Sequence, residues 1–454
     1  MLLPALQKID GSCVIDGELC ALDAHGRRIY LQKKRDCLAA MPNLIVKNAR
    51  LLDIQAAELR AGASLRIEGD RIVEVAENGR DLTTDAEVAI LDAEGRTLMP
   101  GLIDAHVHPA ITTLDLAALV HRQASWIAIE TKFILEGMLR RGFTTVRDAG
   151  GLDAGIAIAV ERGLIRGPRI FRSGRVLSQT GGHGDLEAVS THPQLCACSI
   201  RSSAFSHIAD GVDSVRRAAR EELKGGAHQI KVMAGGGVAT PSDPIDMVQY
   251  TEEEIRAAVE EAKARRTYAF AHAYVPDAIQ RAVRAGVRSI EHGNLIDDSA
   301  AQLMAENSCY LVPTLVTYDQ VARFGKSHKF PEASLQKLQE VLDKGACAIE
   351  KAIRAGVNVG FGTDLLGETH PAQSEEFTLR AQVQPNADVL RSATVVNADL
   401  LQHSGKLGIL KPGAFADFLL VSGDPLKDLT VLGGQGEHLD VIVRGGVIFK
   451  NALH

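Results

Sequence analysis

The sequence predicts an α/β protein: a parallel (β/α)8 TIM barrel with a small β-sandwich formed by both ends of the chain. The first observation is a repeated alternation of short apolar runs, rich in Val, Ile and Phe, with longer stretches of helical periodicity. The second is that eight such runs occur in order, and strand–helix alternation repeated eight times favours a closed barrel. A doubly wound open sheet has the same periodicity and stays an alternative at this stage.

The eight apolar runs are the predicted barrel strands. They cover residues 98–108, 143–150, 168–174, 229–235, 268–273, 288–293, 309–315 and 358–364. The clearest helix between them is TEEEIRAAVEEAKARR, in which Thr251 and Glu254 have the spacing of a capping box. The stretch 214–226 also has helical periodicity, and Gly225 is its predicted stop.

Two segments outside this alternation have the pattern of short strands and turns. They cover residues 43–97 and 408–450, and together they predict the composite sandwich. The expected parts are therefore an N-terminal extension at 1–42, the sandwich at 43–99 and 405–454, and the barrel at 100–404. The extension contains three cysteines and has no clear periodicity, so its role stays open.

Composition excludes several classes of function. Hydrophobic residues make up 46% and charged residues 24%, as in ordinary globular proteins. The net charge of −7 shows no basic excess, so we predict neither a nucleic-acid nor a membrane partner. No apolar run reaches the roughly 18 residues of a bilayer span, and the first residues lack the pattern of a secretory signal. The seven cysteines, an odd number, argue against a disulfide framework, and we expect a cytoplasmic protein.

Six residues at or near the C-terminal ends of predicted strands are candidate metal ligands. They are His106, His108, Lys231, His272, His292 and Asp364. His106 and His108 lie two residues apart and therefore point to the same side of one strand. Lys231 interrupts an apolar strand, where an unpaired ammonium group is costly. Each residue alone has a purely structural interpretation, but together they lie at the face where barrel enzymes place their catalytic groups.

This set resembles the binuclear subtype of the amidohydrolase superfamily, over nearly the whole chain. The resemblance includes GAFADFLLVSGDP, which is similar to closing sandwich strands of that superfamily. It implies that Lys231 is carboxylated by carbon dioxide and that this carbamate bridges two divalent metal ions. Mixed nitrogen and oxygen ligands suit Zn²⁺, with manganese, cobalt and iron left open.

The resemblance also implies how the ligands divide between the two ions. His106, His108, Asp364 and the carbamate hold the first, and His272, His292 and the carbamate hold the second. A water whose pKa the metals lower then attacks a carbonyl carbon as a bridging hydroxide. Asp364 is the implied catalytic residue that passes the proton to the leaving group.

Four further segments narrow the resemblance to one branch. They are VRDAGG, SQTGGHGD, KVMAGGGVATPSDPIDMVQYTEEEI and SIEHGNLID. These are similar to metal-dependent carboxypeptidases, prolidase-like dipeptidases and ochratoxin-hydrolysing amidases. The branch implies that His183 is a catalytic residue that also binds the substrate. The alternative is that His183 is an ordinary residue of a glycine-rich loop. It further implies that Tyr250 binds the substrate carboxylate, and we interpret Arg147 and Asp148 as a supporting ion pair.

The sequence therefore predicts a metallopeptidase-like amidohydrolase that cleaves an amide or peptide bond next to a C-terminal amino acid. Carboxypeptidase, dipeptidase and ochratoxin A-type hydrolase are forms of this activity, on a small-molecule or peptide substrate. The resemblance favours a homo-oligomer, with an octamer as one form. A lactonase, a phosphotriesterase-like enzyme or a cyclic-amide hydrolase stays an alternative, because fold does not settle substrate. A non-catalytic scaffold is the alternative outside enzymes, and the presence of all six ligands argues against it.

Overall fold

A computed structural model describes most of the chain. The described residues are 12–15, 18–22, 28–30, 43–80, 82, 88–119, 121–186, 205–240 and 243–453. The strands are β1 (Ser12–Ile15), β2 (Glu18–Leu22), β3 (Arg28–Tyr30), β4 (Asn43–Asp53), β5 (Glu58–Glu68), β6 (Arg71–Ala76), β7 (Ala89–Asp92), β8 (Thr97–Pro100), β9 (Leu102–Val107), β10 (Phe143–Asp148), β11 (Arg169–Arg172), β12 (Val176–Ser178), β13 (Ser206–Ile208), β14 (Ile230–Met233), β15 (Ala269–Ala273), β16 (Ser289–His292), β17 (Tyr310–Val312), β18 (Phe418–Val421), β19 (Leu439–Arg444) and β20 (Val447–Asn451).

The helices lie mainly between the strands of the middle region. They are α1 (Leu116–Leu119), α2 (Ala124–Arg140), α3 (Ala154–Glu161), α4 (Val212–Lys224), α5 (Glu252–Ala264), α6 (Pro276–Ala285), α7 (Asp298–Glu306), α8 (Leu315–Phe324), α9 (Glu332–Val341), α10 (Gly345–Ala355), α11 (Glu375–Arg380), α12 (Asn386–Arg391) and α13 (Asn397–Leu400). None of the helices in the described ranges is both long and apolar enough to cross a membrane.

Parallel strands alternate with helices through the middle of the chain. One parallel sheet contains β9, β10 and β11, and a second has the order β13-β12-β14-β15-β16-β17. The two sheets are joined where the backbone N–H of His228, just before β14, donates to the carbonyl of Arg172 at 2.7 Å. Seven of the eight predicted barrel strands are thus present as parallel strands near their predicted positions.

The eighth predicted strand, 358–364, is irregular, but its backbone forms hydrogen bonds with both β17 and β9. It forms a single parallel bridge between Leu311 and Val359. On its other side, the N–H of Ala105 in β9 donates to the carbonyl of Phe361 at 2.8 Å. Hydrogen bonds therefore lead from β17 back to β9, as expected for a TIM-barrel-like α/β fold and not for an open doubly wound sheet.

Strands from both ends of the chain form one mixed sheet. Its order is β20-β19-β18-β8-β4-β5-β6, with β7 paired to β4. The segments of the predicted sandwich form this single sheet, and residues of its strands share one apolar core. Leu65 and Ile67 of β5 are buried in that core together with Phe418 of β18 and Val441 of β19. Burial of this shared face is what holds the two chain ends together.

The N-terminal region is described only in part. β1, β2 and β3 form a small antiparallel sheet within the predicted extension at 1–42. The side chains of its three cysteines lie outside the described residues. The division of the chain at 1–42, 43–99, 100–404 and 405–454 stays a prediction.

The predicted capping box begins α5. The Thr251 hydroxyl accepts a hydrogen bond from the N–H of Glu254 at 3.3 Å, and the Glu254 carboxylate accepts one from the N–H of Thr251 at 2.8 Å. These bonds satisfy two backbone donors that a helix start leaves unpaired. Gly225 is the C-cap of α4, as predicted, although the left-handed residue is Gly226, with a φ of 86°.

We expect the substitution Thr251→Ala to lower the free energy of unfolding by about 1 kcal/mol, because it removes the side-chain acceptor of this cap. Chemical denaturation measures the change. Thr251→Ser keeps the hydroxyl and serves as the control, with stability close to that of the wild type. Equal stability of the alanine variant and the wild type would contradict the role of the cap.

Candidate metal centre

Three predicted ligands meet at the carboxyl end of β9. Oδ1 of Asp364 lies 3.4 Å from Nε2 of His106 and 3.2 Å from Nε2 of His108. One ligand atom from each of the three lies within 4.8 Å of the others, so together they form a possible metal site. Asp364 has a φ of 52°, a conformation that Asp tolerates better than most residues, and its N–H donates to the His106 carbonyl at 2.8 Å. This backbone bond fixes the carboxylate against the two histidines.

The other three predicted ligands extend this group. The His292 ring centroid lies 4.9 Å from that of His106 and 4.6 Å from that of His272. Nδ1 of His292 also lies 2.9 Å from Oγ1 of Thr314. Lys231, in β14, is 1% exposed. All six predicted ligands line one cavity at the carboxyl ends of the parallel strands.

Backbone carbonyls determine which ring nitrogens are free. Nδ1 of His108 lies 2.9 Å from the Gly150 carbonyl. Nε2 of His272 lies 3.0 Å from the Gly236 carbonyl. A carbonyl only accepts, so each of these nitrogens carries the hydrogen and the opposite nitrogen keeps its lone pair. A free lone pair on a neutral imidazole is what a metal ion requires.

Glu291 of β16 connects the first ligand to a buried arginine. Its Oε2 accepts from Nδ1 of His106 at 2.7 Å, and both of its oxygens accept from Nη2 of Arg147 at 2.8 Å. Burial alone would raise the pKa of Glu291, but Arg147 and His106 outweigh it and lower that pKa. The predicted Arg147–Asp148 ion pair is wrong, because consecutive strand residues point to opposite faces and Arg147 reaches Glu291 instead.

Asp104 is a supporting residue that the sequence analysis missed. Its Oδ1 accepts from the N–H groups of His106 and Thr363, at 3.0 and 3.2 Å. Its Oδ2 accepts from Oγ1 of Thr363 at 2.6 Å and from Nε2 of Gln373 at 2.8 Å. Burial raises the pKa of Asp104 to about 6. The carboxylate therefore ties the strand carrying His106 to the segment that ends in Asp364.

Lys231 is buried without a hydrogen bond to any other residue in the described ranges. Its Nζ lies 5.0 Å from the centroid of the Phe270 ring. Burial lowers the pKa of Lys231 to about 8. The lowered pKa increases the fraction of neutral amine, which is the form open to covalent modification.

The structure also brings His183 to the same cavity. Its ring stacks on that of His272, with centroids 4.3 Å apart and an interplanar angle of 20°. Its Nδ1 lies 3.1 Å from Oδ2 of Asp243. The loop after β12 thus places this histidine beside the predicted ligands, and its role toward a substrate stays a prediction.

Tyr250 is not among the residues that line this cavity. It is 2% exposed, its hydroxyl donates to the Ala209 carbonyl at 2.9 Å, and it packs in an apolar core. Because its polar atom is already bonded within the fold, the predicted contact with a substrate carboxylate is not supported. Tyr274 and Tyr318 line the cavity instead, with hydroxyl oxygens 2.9 Å apart. Tyr274 follows His272 by two residues, the same strand spacing that identified His106 and His108.

Comparison with known proteins identifies the family of this chain. The model of the amidohydrolase family matches residues 97–448. The chain belongs to the amidohydrolase family. Its predicted class, a hydrolase acting on amide or peptide C–N bonds, is confirmed.

Several relatives of this amidohydrolase have known activities or structures. Ochratoxinase of Aspergillus niger is 31% identical over 366 residues, which cover 78% of this chain and 75% of that protein. A solved prolidase complexed with N-methylphosphonate-L-proline is 46% identical, with a TM-score of 0.87 over 90% of this chain and 100% of that one. A solved Xaa-Pro dipeptidase with bound methionine in its active site is 30% identical, with a TM-score of 0.81 and the same coverage.

We expect Glu291→Gln to lower the free energy of unfolding by about 3–5 kcal/mol, because it leaves the buried Arg147 charge unpaired. Loss of the charged partner of His106 should also weaken metal binding about 10- to 100-fold. Denaturation and metal titration measure the two effects. Glu375→Gln, at an exposed carboxylate, is the control. Unchanged stability and unchanged metal affinity in the Glu291 variant would contradict this account.

Proposed function

We propose that this protein is a binuclear metal-dependent amidohydrolase that cleaves an amide or peptide bond next to a C-terminal amino acid. The observation that carries the proposal is the convergence of six donor residues and two tyrosine hydroxyls on one cavity. The solved prolidase and Xaa-Pro dipeptidase support dipeptides and N-acyl amino acids as substrates. The ochratoxinase relative supports an ochratoxin A-type amide. The proposal includes a complete (β/α)8 barrel as its scaffold.

The donor set fits two divalent cations, and zinc fits it best. Neutral imidazole nitrogens and a carboxylate are ordinary zinc ligands. His106, His108 and Asp364 would hold one ion, and His272 and His292 the other. When bound, the ions supply Lewis acidity that activates water and polarises a carbonyl.

The burial of Lys231 supports a carbamate on this residue, which would serve as a further ligand of the metal centre. Addition of carbon dioxide to the neutral amine forms an N–C bond and releases a proton. The product is an anion with two oxygen donors. A cation without a hydrogen bond in the described structure is thereby replaced by an anion that metal ions neutralise, which removes the cost of burying the ammonium.

In this proposal Asp364 transfers the proton of the reaction. Its carboxylate faces His106 and His108, and its Oδ2 lies 3.9 Å from Nδ1 of His292. It accepts a proton from the attacking water and delivers it to the nitrogen of the leaving amine. That transfer turns a poor leaving group into a neutral amine.

The remaining polar groups of the cavity orient the substrate. In this proposal His183 contacts the carbonyl oxygen, and the hydroxyls of Tyr274 and Tyr318, which line the same cavity, bind the terminal carboxylate. Val238 and Leu338 line the cavity as apolar walls. These walls limit water around the bond that is cleaved and bury the apolar part of the amino acid.

The test is a panel of N-acyl amino acids and dipeptides varied at the C-terminal residue, with Xaa-Pro dipeptides and ochratoxin A included. We expect hydrolysis of members with a free carboxylate, and a kcat/KM lower by at least about 100-fold for the same compounds with a blocked carboxyl group. A lactone and a phosphotriester are the comparison substrates. Activity on these two alone would overturn the proposal.

We expect Asp364→Asn to lower kcat by at least about 1,000-fold while the protein stays folded, because the amide cannot accept the proton. Elemental analysis of the wild type should find about two metal ions per chain. Asp298→Asn, at an exposed carboxylate of α7, is the control and should keep full activity. Full turnover by the Asp364 variant would refute the role of this residue, and a single ion per chain would refute the binuclear site.

A further inference from the structure

The ring of His183 is confined on three sides. One face stacks on His272, at 4.3 Å between centroids. The Nδ1 edge lies 3.1 Å from Oδ2 of Asp243. A Cβ atom built on Gly237 would lie only 2.0 Å from the ring, so the glycine backbone packs directly against it. These contacts leave the ring little freedom to rotate.

The backbone of His183 is held by the segment that follows β14. Its N–H donates to Oε1 of Gln249 at 2.9 Å, and its carbonyl accepts from Oγ1 of Thr240 at 2.6 Å. Gln249 also donates through Nε2 to Oδ2 of Asp243 at 3.4 Å. Side chain and backbone are therefore fixed by the same part of the chain.

Asp243 is buried, and its charge is balanced by Lys337 of α9. Nζ of Lys337 lies 3.4 Å from Oδ1 of Asp243 and donates to the Asp243 carbonyl at 2.6 Å. The same ammonium donates to the carbonyls of Gly237 and Thr240, both at 2.5 Å. Because a buried carboxylate is costly without a counterion, Lys337 supplies the positive charge that the Asp243 side chain needs at this depth.

A carboxylate only accepts hydrogen bonds. Oδ2 of Asp243 accepts from the N–H of Gly237 at 2.8 Å, and its contact with His183 therefore requires the hydrogen to be on Nδ1. The opposite edge of the ring, which carries Nε2, is left for the cavity. A fixed tautomer and a fixed plane are what a histidine that contacts a substrate needs.

We propose that Asp243, supported by Lys337, is a positioning residue that sets the tautomer and orientation of His183 toward the substrate. This rests on the proposed function, in which His183 contacts the carbonyl oxygen. Leu338, the neighbour of Lys337, lines the cavity, so α9 contributes both a cavity wall and the counterion of the positioning residue. His183 lines the cavity and Asp243 is not among its lining residues, so Asp243 acts through His183.

The first test is a double-mutant cycle on turnover of the best panel substrate by the metal-loaded enzyme. Asp243→Asn should lower kcat about 10- to 100-fold with KM changed by less than about threefold. His183→Ala should lower kcat at least as much, and adding Asp243→Asn to it should have no further effect. Additive losses, or an unchanged kcat in the Asp243→Asn variant, would overturn the positioning role.

Two further variants keep the test decisive. Ser334→Ala, on the same helix, removes a 3.2 Å hydrogen bond to the Ala239 carbonyl and should leave kcat unchanged. Lys337→Met should lower kcat in the same direction as Asp243→Asn, and it replaces that variant in the cycle if Asp243→Asn does not fold. Full turnover by Lys337→Met would contradict the proposed counterion role.

A second measurement does not depend on activity. In ¹⁵N-histidine-labelled holoenzyme, NMR should show a protected proton on Nδ1 of His183, assigned by its loss in His183→Ala and lost or shifted in Asp243→Asn. An Nδ1 without a proton would overturn the proposal. A protected Nδ1 proton in a protein that hydrolyses no panel member would overturn the proposed function and leave the hydrogen-bond geometry of His183 standing.

Discussion

The contact of Glu291 with Arg147 and His106 is the interaction on which the rest of the site depends. Three parallel strands, β9, β10 and β16, supply one residue each, and all three side chains are buried. A carboxylate at this depth is ionised only because of its partners, and its charge orients the His106 ring so that Nε2 faces Asp364. The packing of these strands and the orientation of His106 therefore depend on the same contacts. A shift of any of the three strands would leave a buried charge unpaired.

The site also lies beside the segment 358–364, where the predicted strand is irregular. The segment 358–364 makes one bridge to β17 and a few hydrogen bonds to β9, and Asp104 supplies much of the connection through Thr363. Two predicted ligands, His292 and Asp364, have positive φ angles at the ends of their strands. Such conformations cost energy and persist where the surrounding contacts fix them. Local irregularity here turns the side chains toward the cavity.

The sequence predicted what depends on local periodicity and missed what depends on contacts between distant segments. Strand alternation identified His106 and His108, and the capping box of α5 follows from residues three apart. The partner of Arg147 could not be read from neighbouring residues, because Glu291 lies on a strand 144 positions later in the chain. The prediction that Tyr250 binds the substrate had a different cause. It followed a motif in a loop, and the direction of a loop side chain is set by tertiary contacts that periodicity does not describe.

Two groups of residues line the cavity, and they differ in their tolerance to amino-acid substitution. The predicted ligands lie on strand ends whose positions are fixed by backbone hydrogen bonds and by Glu291 and Asp104. Helices supply part of the cavity wall, with Tyr318 on α8 and Leu338 on α9. In the proposed function, substitutions on these helices alter substrate choice without disturbing the donor set. Lys337 makes α9 an exception, because it balances the charge beside His183. A change that shifts this helix to admit a different substrate also shifts the counterion of Asp243, so specificity and turnover are physically coupled at this wall.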